Sequence, residues 1–124
     1  MRSVVAPETT TSGLFGSYFA AERRRDVRAV VEHFREDAVL VLPDGRTLSG
    51  RGEIGEFYAE VYAQLAELDV HVVSMSTAAE LTIVEWEASL VDESNDTQTL
   101  RGVNVVRTCA GMFAEVRTYF GPRA

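Results

Sequence analysis

Apolar residues recur at helical spacing in three stretches of the first half of the chain. From Leu14 to Arg23 they form a wide stripe on one helical face. Asp26 is a favourable N-cap, and apolar residues three and four apart follow it, which predicts a short second helix ending at Glu36-Asp37. From Gly52 to Ala66 the same period is sustained throughout. The pattern therefore predicts three helices.

The second half of the chain changes to the alternating period of β-strands. The predicted strands are Ala38–Leu42, Arg46–Leu48, Val70–Thr77, Leu81–Val91, Gly102–Thr108 and Met112–Phe120. Pro43-Asp44-Gly45 and Ala110-Gly111 are turn sequences, because glycine supplies the positive φ that a tight turn needs. Helices followed by antiparallel strands predict an α+β fold in which the helices pack against one face of a curved sheet.

Asn104 is the most informative polar residue in these strands. Alternation places it with Gly102 and Val106 on a face that should be covered. Burying an amide without a partner costs about 2–7 kcal/mol, so Asn104 needs a protein, water or ligand contact. Both a structural role and a ligand contact remain open from the sequence alone.

The opposite sheet face is less polar than a solvent-exposed face should be. Alternation places apolar residues there among charged ones: Val73, Met75, Ile83, Val103, Val105, Phe113 and Tyr119. Extra apolar side chains on a second face predict a covering partner, most simply a second copy of the chain. We therefore expect a homodimer that forms through the outer face of the sheet.

Composition narrows the classes of partner. The chain has 124 residues and fits a single domain at residues 13–124, preceded by a loose tail at residues 1–12. Its net charge of −7 argues against nucleic-acid binding, and no apolar run is long enough to cross a membrane. Cys109 is the only cysteine, so no intramolecular disulfide is expected. The N-terminal stretch lacks the apolar region of a secretory signal, so a cytoplasmic location is expected.

The sequence contains no His, Cys or carboxylate cluster with metal-ligand spacing, and no glycine-rich phosphate loop. We therefore expect neither a metal nor a cofactor.

Four stretches in this order resemble the nuclear transport factor 2-like superfamily, which includes SnoaL-like polyketide cyclases and ketosteroid isomerases. They are SYFAAERRRDVRAVVEHFREDAVLVLP, SGRGEIGEFYAEV, IVEWEASL and RGVNVVRTCAGMFAEVRTYFG. The resemblance spans Leu14 to Gly121. It implies a cone-shaped sheet wrapped around three N-terminal helices and enclosing an apolar pocket.

The resemblance to ketosteroid isomerase implies roles for individual residues. Tyr18 matches the tyrosine of the oxyanion hole, and Tyr58 matches a second tyrosine bonded to it. Asn104 matches the acid that donates the second hydrogen bond, and an amide N–H can also donate. Leu42 stands where the isomerase has its proton-transferring aspartate, so the usual base is missing.

Further residues are expected to shape the pocket and bind the substrate. Trp86 and Phe120 would form aromatic walls, Leu42 and Val106 an apolar lining, and Thr118 an inward-facing position on the last strand. Such a lining suits a flat or polycyclic hydrophobic ligand.

Two other branches of the superfamily fit less well. The epoxide hydrolases use an Arg and Asp pair on neighbouring inward positions, where this chain has Gly102 and Asn104. The polyketide cyclases imply an acid/base carboxylate. Asp44 is the best carboxylate near the expected pocket mouth, although its place in a turn favours a structural role.

Two function hypotheses follow. The first is a small-molecule isomerase or cyclase acting on a hydrophobic, carbonyl-bearing substrate of polyketide or steroid type, in which Tyr18 and Asn104 polarise the oxygen. The second is a non-catalytic binding module for a small apolar ligand, which Leu42 at the position of the base favours. An adaptor role like that of the superfamily's namesake has no specific support in the sequence.

Overall fold

Three helices pack against one six-stranded sheet in the computed structural model, which describes residues 11–122. The elements in chain order are α1 (Thr11–Arg23), α2 (Val27–Val31), β1 (Phe34–Val41), β2 (Thr47–Ser49), α3 (Gly50–Ala63), β3 (Leu65–Ala78), β4 (Leu81–Asp92), β5 (Thr97–Cys109) and β6 (Met112–Pro122). The strand order is β2-β1-β6-β5-β4-β3. The predicted α+β class and curved sheet are confirmed.

The sheet is mixed, which corrects the expectation of an antiparallel one. β1 runs parallel to β6, with Leu40 opposite Val116, whereas the other neighbouring strands are antiparallel. Alternation along a strand tells which side chains share a face, but not which strand lies alongside or in which direction. The long connection through α3 and four strands lets β1 and β6 meet in parallel.

The second helix is shorter than predicted. Asp26 caps it as expected, accepting the Ala29 N–H at 3.1 Å, but the helix ends at Val31. Phe34 begins β1, where the Phe113 N–H donates to the His33 carbonyl at 2.8 Å. Phe34 is fully buried. Phe34 continues the helical spacing of the apolar residues after Asp26, but a buried residue is equally compatible with the alternation of a strand. The sequence pattern therefore could not show where the helix ends and the strand begins.

The third helix also ends earlier than predicted, at Ala63, and β3 begins at Leu65 rather than Val70. Leu65 follows Val61 at helical spacing, which explains the wrong boundary. Within β3, Leu65 and Leu68 turn towards the interior and help to line a cavity.

At the N-terminus α1 begins at Thr11, so the last two residues of the predicted tail belong to its first turn. The rest of that tail, residues 1–10, lies outside the described residues.

Two residues expected on the outer sheet face point inward instead. Phe113 is buried because the β5–β6 register shifts between Arg107 and Thr108, which reverses the alternation. Met75 pairs with the buried Val84 after a similar shift in β3. Bulges of this kind add one residue to a strand, so extrapolated alternation fails beyond them.

The core lies between the helices and the inner face of the sheet. Phe34 and Phe113 meet edge to face, with ring centroids 5.3 Å apart, and Phe15 and Tyr18 also pack against Phe113. Among residues 11–122, no helix combines the length and the apolar character that crossing a membrane requires.

Candidate functional site

A cavity of about 260 Å³ opens between α1, α3 and the inner faces of β1 and of β3 to β6. Its lining is mostly aliphatic and aromatic, and among the described residues none of those that line it is basic. The lining residues that carry a polar atom in the side chain are Tyr18, Glu22, Tyr58, Tyr62, Trp86, Asn104 and Thr118. A small number of polar groups in an apolar hollow is the usual composition of a ligand site.

Tyr18 and Tyr58 form a hydroxyl pair at this cavity. Their oxygens lie 2.6 Å apart, the contact that the resemblance implied, and both side chains are buried. Burial raises the pKa of both hydroxyls, and the nearby charge of Glu22 raises each pKa further. Both groups therefore stay neutral near physiological pH and can donate a proton to a hydrogen bond.

The side-chain amide of Asn104 has a hydrogen-bond partner for its oxygen but not for its nitrogen among the described residues. The Trp86 Nε1–H donates to Asn104 Oδ1 at 3.1 Å. Because an indole can only donate, this bond fixes the amide orientation, with the oxygen towards Trp86. The amide nitrogen carries two further N–H donors that have no partner among residues 11–122, although Asn104 is only 6% exposed and lines the cavity. Asn104 thus has a structural bond and a spare donor.

The aromatic wall consists of Trp86 and Phe120, whose ring centroids lie 5.8 Å apart. Trp86 is buried, whereas Phe120 is 44% exposed, so Phe120 forms an open part of the wall. Thr118 is half-buried beside them, directly opposite Asn104 on the neighbouring strand. All three were expected to contact ligand, and all three line the cavity.

Leu42 lines the cavity as expected, but Val106 does not. Val106 points inward as expected, but its side chain is buried among the core residues and does not border the cavity. Asp44 is exposed, accepts the Arg46 N–H at 3.0 Å and pairs with the Arg46 guanidinium. These bonds to Arg46 lower the pKa of Asp44. Asp44 is therefore a turn residue and not a group of the cavity.

Two polar residues of the cavity were missed in the sequence. Glu22 lies one turn after Tyr18 on α1, and Tyr62 lies one turn after Tyr58 on α3. The Tyr62 hydroxyl donates to Glu22 Oε1. The i, i+4 spacing of both pairs was the available signal, because residues four apart share a helix face.

Glu22 is a carboxyl group held in apolar surroundings. Burial raises its pKa above the ordinary value, and hydrogen bonds from the Tyr62 and Tyr18 hydroxyls act in the opposite direction. Among the described residues that line the cavity, no cation offsets the cost of burying this carboxyl group. Over residues 11–122 there is also no group of three His, Cys, Asp or Glu side chains that could hold a metal ion.

Comparison with known proteins identifies the family of the chain. A model of the SnoaL-like domain matches residues 15–116. No curated protein matches the chain.

Many solved structures share the fold. A protein with ketosteroid isomerase-like fold from Catenulispora acidiphila, in complex with trimethylamine, has 19% identity and a TM-score of 0.80, covering 89% of this chain and 86% of its own. An NTF2-like protein of unknown function from Burkholderia pseudomallei has 20% identity and a TM-score of 0.81, covering 94% and 92%. TerC, co-crystallised with polyporic acid, has 20% identity and a TM-score of 0.80, covering 94% and 92%.

The family model spans most of the domain, from the first buried phenylalanine of α1 to the middle of β6. The chain belongs to the SnoaL-like domain family, within the nuclear transport factor 2-like superfamily.

Proposed function

We propose that this protein is an isomerase or cyclase that acts on a small, hydrophobic, carbonyl-bearing substrate. The observation that carries the proposal is the spare N–H donor of buried Asn104 at an apolar cavity that also contains the Tyr18 hydroxyl. Two neutral donors facing an apolar hollow suit an oxygen atom on which negative charge develops during reaction.

Tyr18 has a proton for this purpose when Tyr58 is the donor in their hydrogen bond and the substrate oxygen replaces Glu22 as the acceptor of the Tyr18 hydroxyl. Tyr58 then orients Tyr18 and strengthens it as a donor, because chains of hydrogen bonds polarise one another. Asn104 is oriented in the same way by Trp86. Donors held in advance stabilise a transition state without the cost of reorganisation.

Size and lining support a compact substrate. A cavity of about 260 Å³ is slightly smaller than the usual range of about 300–1,000 Å³ for small-molecule sites, which favours a ligand of few rings. TerC, which shares the fold, was co-crystallised with polyporic acid, in line with a small-molecule occupant in folds of this kind.

Tyr18→Phe tests the proposal. β-Tetralone, a two-ring ketone, exchanges its acidic carbon-bound protons in deuterium oxide, and proton NMR follows the exchange without knowledge of the natural substrate. We expect the protein to accelerate this exchange, and Tyr18→Phe to lower the acceleration by more than about tenfold, the scale of a lost oxyanion donor.

Tyr119→Phe is the matched control, because Tyr119 lies on the outer face and is 51% exposed. Equal exchange rates for wild type and Tyr18→Phe would remove Tyr18 from the proposed chemistry.

A binding module is the second candidate function, and Leu42 in the cavity wall favours it, because leucine cannot accept a proton. Binding of β-tetralone without accelerated exchange would support this function over an enzymatic one.

We further propose a homodimer formed through the outer face of the sheet. Ile83, Val73 and Tyr119 are each about half exposed there, at 48%, 47% and 51%. In register, Ile83 stands opposite Val105, and Tyr119 stands opposite Val103. Apolar side chains are thus adjacent across three strands, a surface that a second copy would cover.

Light scattering on the eluting protein should give twice the mass of one chain at micromolar concentration. Ile83→Arg should shift the mass towards a single chain, because it places a charge in the apolar interface. Ala59→Arg, on the exposed side of α3, should leave the mass unchanged. A single-chain mass for the wild type would contradict the dimer.

A further inference from the structure

The Glu22 carboxyl group has no assigned role, yet it is the only acidic side chain among the described residues that line the cavity. Glu22 follows Tyr18 by one helical turn on α1 and therefore faces the same side. Its Oε1 accepts the hydroxyl proton of Tyr62 from α3. A carboxylate can accept about four hydrogen bonds, so accepting positions remain after Tyr62 has donated.

We infer that Glu22 is the proton-transfer residue of this cavity: its carboxylate removes a proton from the carbon next to the substrate carbonyl and returns it at another carbon. This inference rests on the proposed function, since it requires a carbonyl compound in the cavity. Glu22, on α1, would then act as the base in place of the aspartate whose position is occupied by Leu42 in this chain.

The proton balance of the step is complete within the cavity. When the C–H bond breaks, its electron pair forms a carbon–carbon double bond, and the carbonyl π pair moves onto oxygen. Tyr18 and Asn104 donate to that oxygen, and Glu22 holds the proton as a carboxylic acid. Return of the proton to a different carbon of the conjugated system re-forms the carbonyl and the carboxylate. The product is an isomer, and no co-reactant is consumed.

The surroundings of Glu22 suit a base. The polar groups that face it are the hydroxyls of Tyr18 from α1 and of Tyr58 and Tyr62 from α3, whereas β3 contributes Leu68 and Val70. The neighbouring Arg23 directs its Nη1 to the Val70 carbonyl, at 2.8 Å.

Because burial raises the pKa of Glu22, its carboxylate is a stronger base than an exposed one. Only the carboxylate accepts a proton, so exchange should increase with pH through this raised pKa.

Tyr62 is a positioning residue in this scheme. Its hydrogen bond favours the charged form of Glu22 and so lowers the carboxyl pKa. Tyr62→Phe should therefore move the midpoint of the pH–rate profile upward without abolishing exchange. A residue that only packs in the core would change the stability and leave this midpoint in place.

Glu22→Gln is the direct test, with β-tetralone exchange as the readout. We expect the rate to fall at least about 100-fold, the lower end for a lost general base. Binding is measured separately with β-naphthol, which mimics an enol oxygen, and with naphthalene, which has the same rings without that oxygen. Glu22→Gln should retain the wild-type preference for β-naphthol, which also reports an intact cavity. Glu56→Gln, an exposed carboxylate on α3, is the control and should exchange like the wild type.

The outcomes separate this inference from the proposed function. If Glu22→Gln exchanges the protons of β-tetralone at the wild-type rate, Glu22 is not the proton-transfer residue, whereas the proposed recognition of the ligand oxygen still stands. A wild type that prefers β-naphthol but does not accelerate exchange also overturns the role of Glu22. A wild type with neither the preference nor the exchange overturns the proposed function, and the inference with it.

Discussion

Gly102→Ala is expected to destabilise the protein by about 3 kcal/mol, a combination of overpacking and a lost buried hydrogen bond. A Cβ at this position would lie 2.2 Å from Cζ2 of Trp86 and 2.6 Å from its Cε2, far inside contact distance. Trp86 stands directly opposite Gly102 in the β4–β5 register, and its ring lies over the glycine. The absence of a side chain at Gly102 is therefore what lets the indole lie against the sheet.

The Trp86 ring lines the cavity, so a displaced ring would move into it. Trp86 is buried, packs against Phe120 and donates to Asn104, so a shift of its ring would disturb both contacts and fill part of the hollow. Gly102→Ala should consequently lower both the free energy of unfolding and the affinity for β-naphthol.

Urea unfolding followed by tryptophan fluorescence measures the first effect, and ligand titration measures the second. Gly121→Ala is the matched control, because Gly121 is also a strand glycine but a Cβ there meets nothing within 4 Å. We expect it to leave both quantities nearly unchanged. Equal stability of the two variants would show that Trp86 moves aside without cost.

Asn104→Leu is expected to abolish the preference of the cavity for an oxygen-bearing ligand. The amide nitrogen is the spare donor, so its removal should reduce the preference for β-naphthol over naphthalene by about tenfold, the value of one good hydrogen bond. The substitution also leaves the Trp86 Nε1–H without its acceptor. A buried donor without a partner costs about 1–3 kcal/mol, so the variant should be less stable as well.

Thr82→Val separates these two effects. Thr82 is a buried polar strand residue whose hydroxyl bonds to that of Thr77 at 2.9 Å, and it does not line the cavity. This control should lose stability and keep the ligand preference. If Asn104→Leu retained the preference as well, the spare amide donor would not contact the ligand oxygen.

These two predictions concern one structural unit. Gly102 and Asn104 are two residues apart on β5 and point to the same side, and Trp86 reaches from the neighbouring strand to both. The absence of a Cβ at Gly102 leaves room for the Trp86 indole, and the hydrogen bond from that indole orients the Asn104 amide. The position of the spare amide donor thus depends on a residue that has no side-chain functional group.

The sequence alone determined the elements whose pattern is local. Helical spacing identified three helices, and alternation placed Asn104 on the covered face of its strand, where it is buried. The hairpin at Ala110-Gly111 was also predictable, since both residues have positive φ, as its tight turn requires. Each of these features depends on neighbours in the chain, which is why it could be predicted from pattern.

Tertiary structure alone decided the features that depend on distant partners. The parallel pairing of β1 with β6 and the inward turn of Phe113 depend on which strand lies alongside and on where a bulge falls. Glu22 is the clearest case. A carboxylate near the end of a helix ordinarily faces water, but here Glu22 is half-buried and lines the cavity, where Tyr62 of α3 donates to it. The sequence thus determined that Asn104 lies on the covered face of its strand, and the fold determined that Glu22 lines the same cavity.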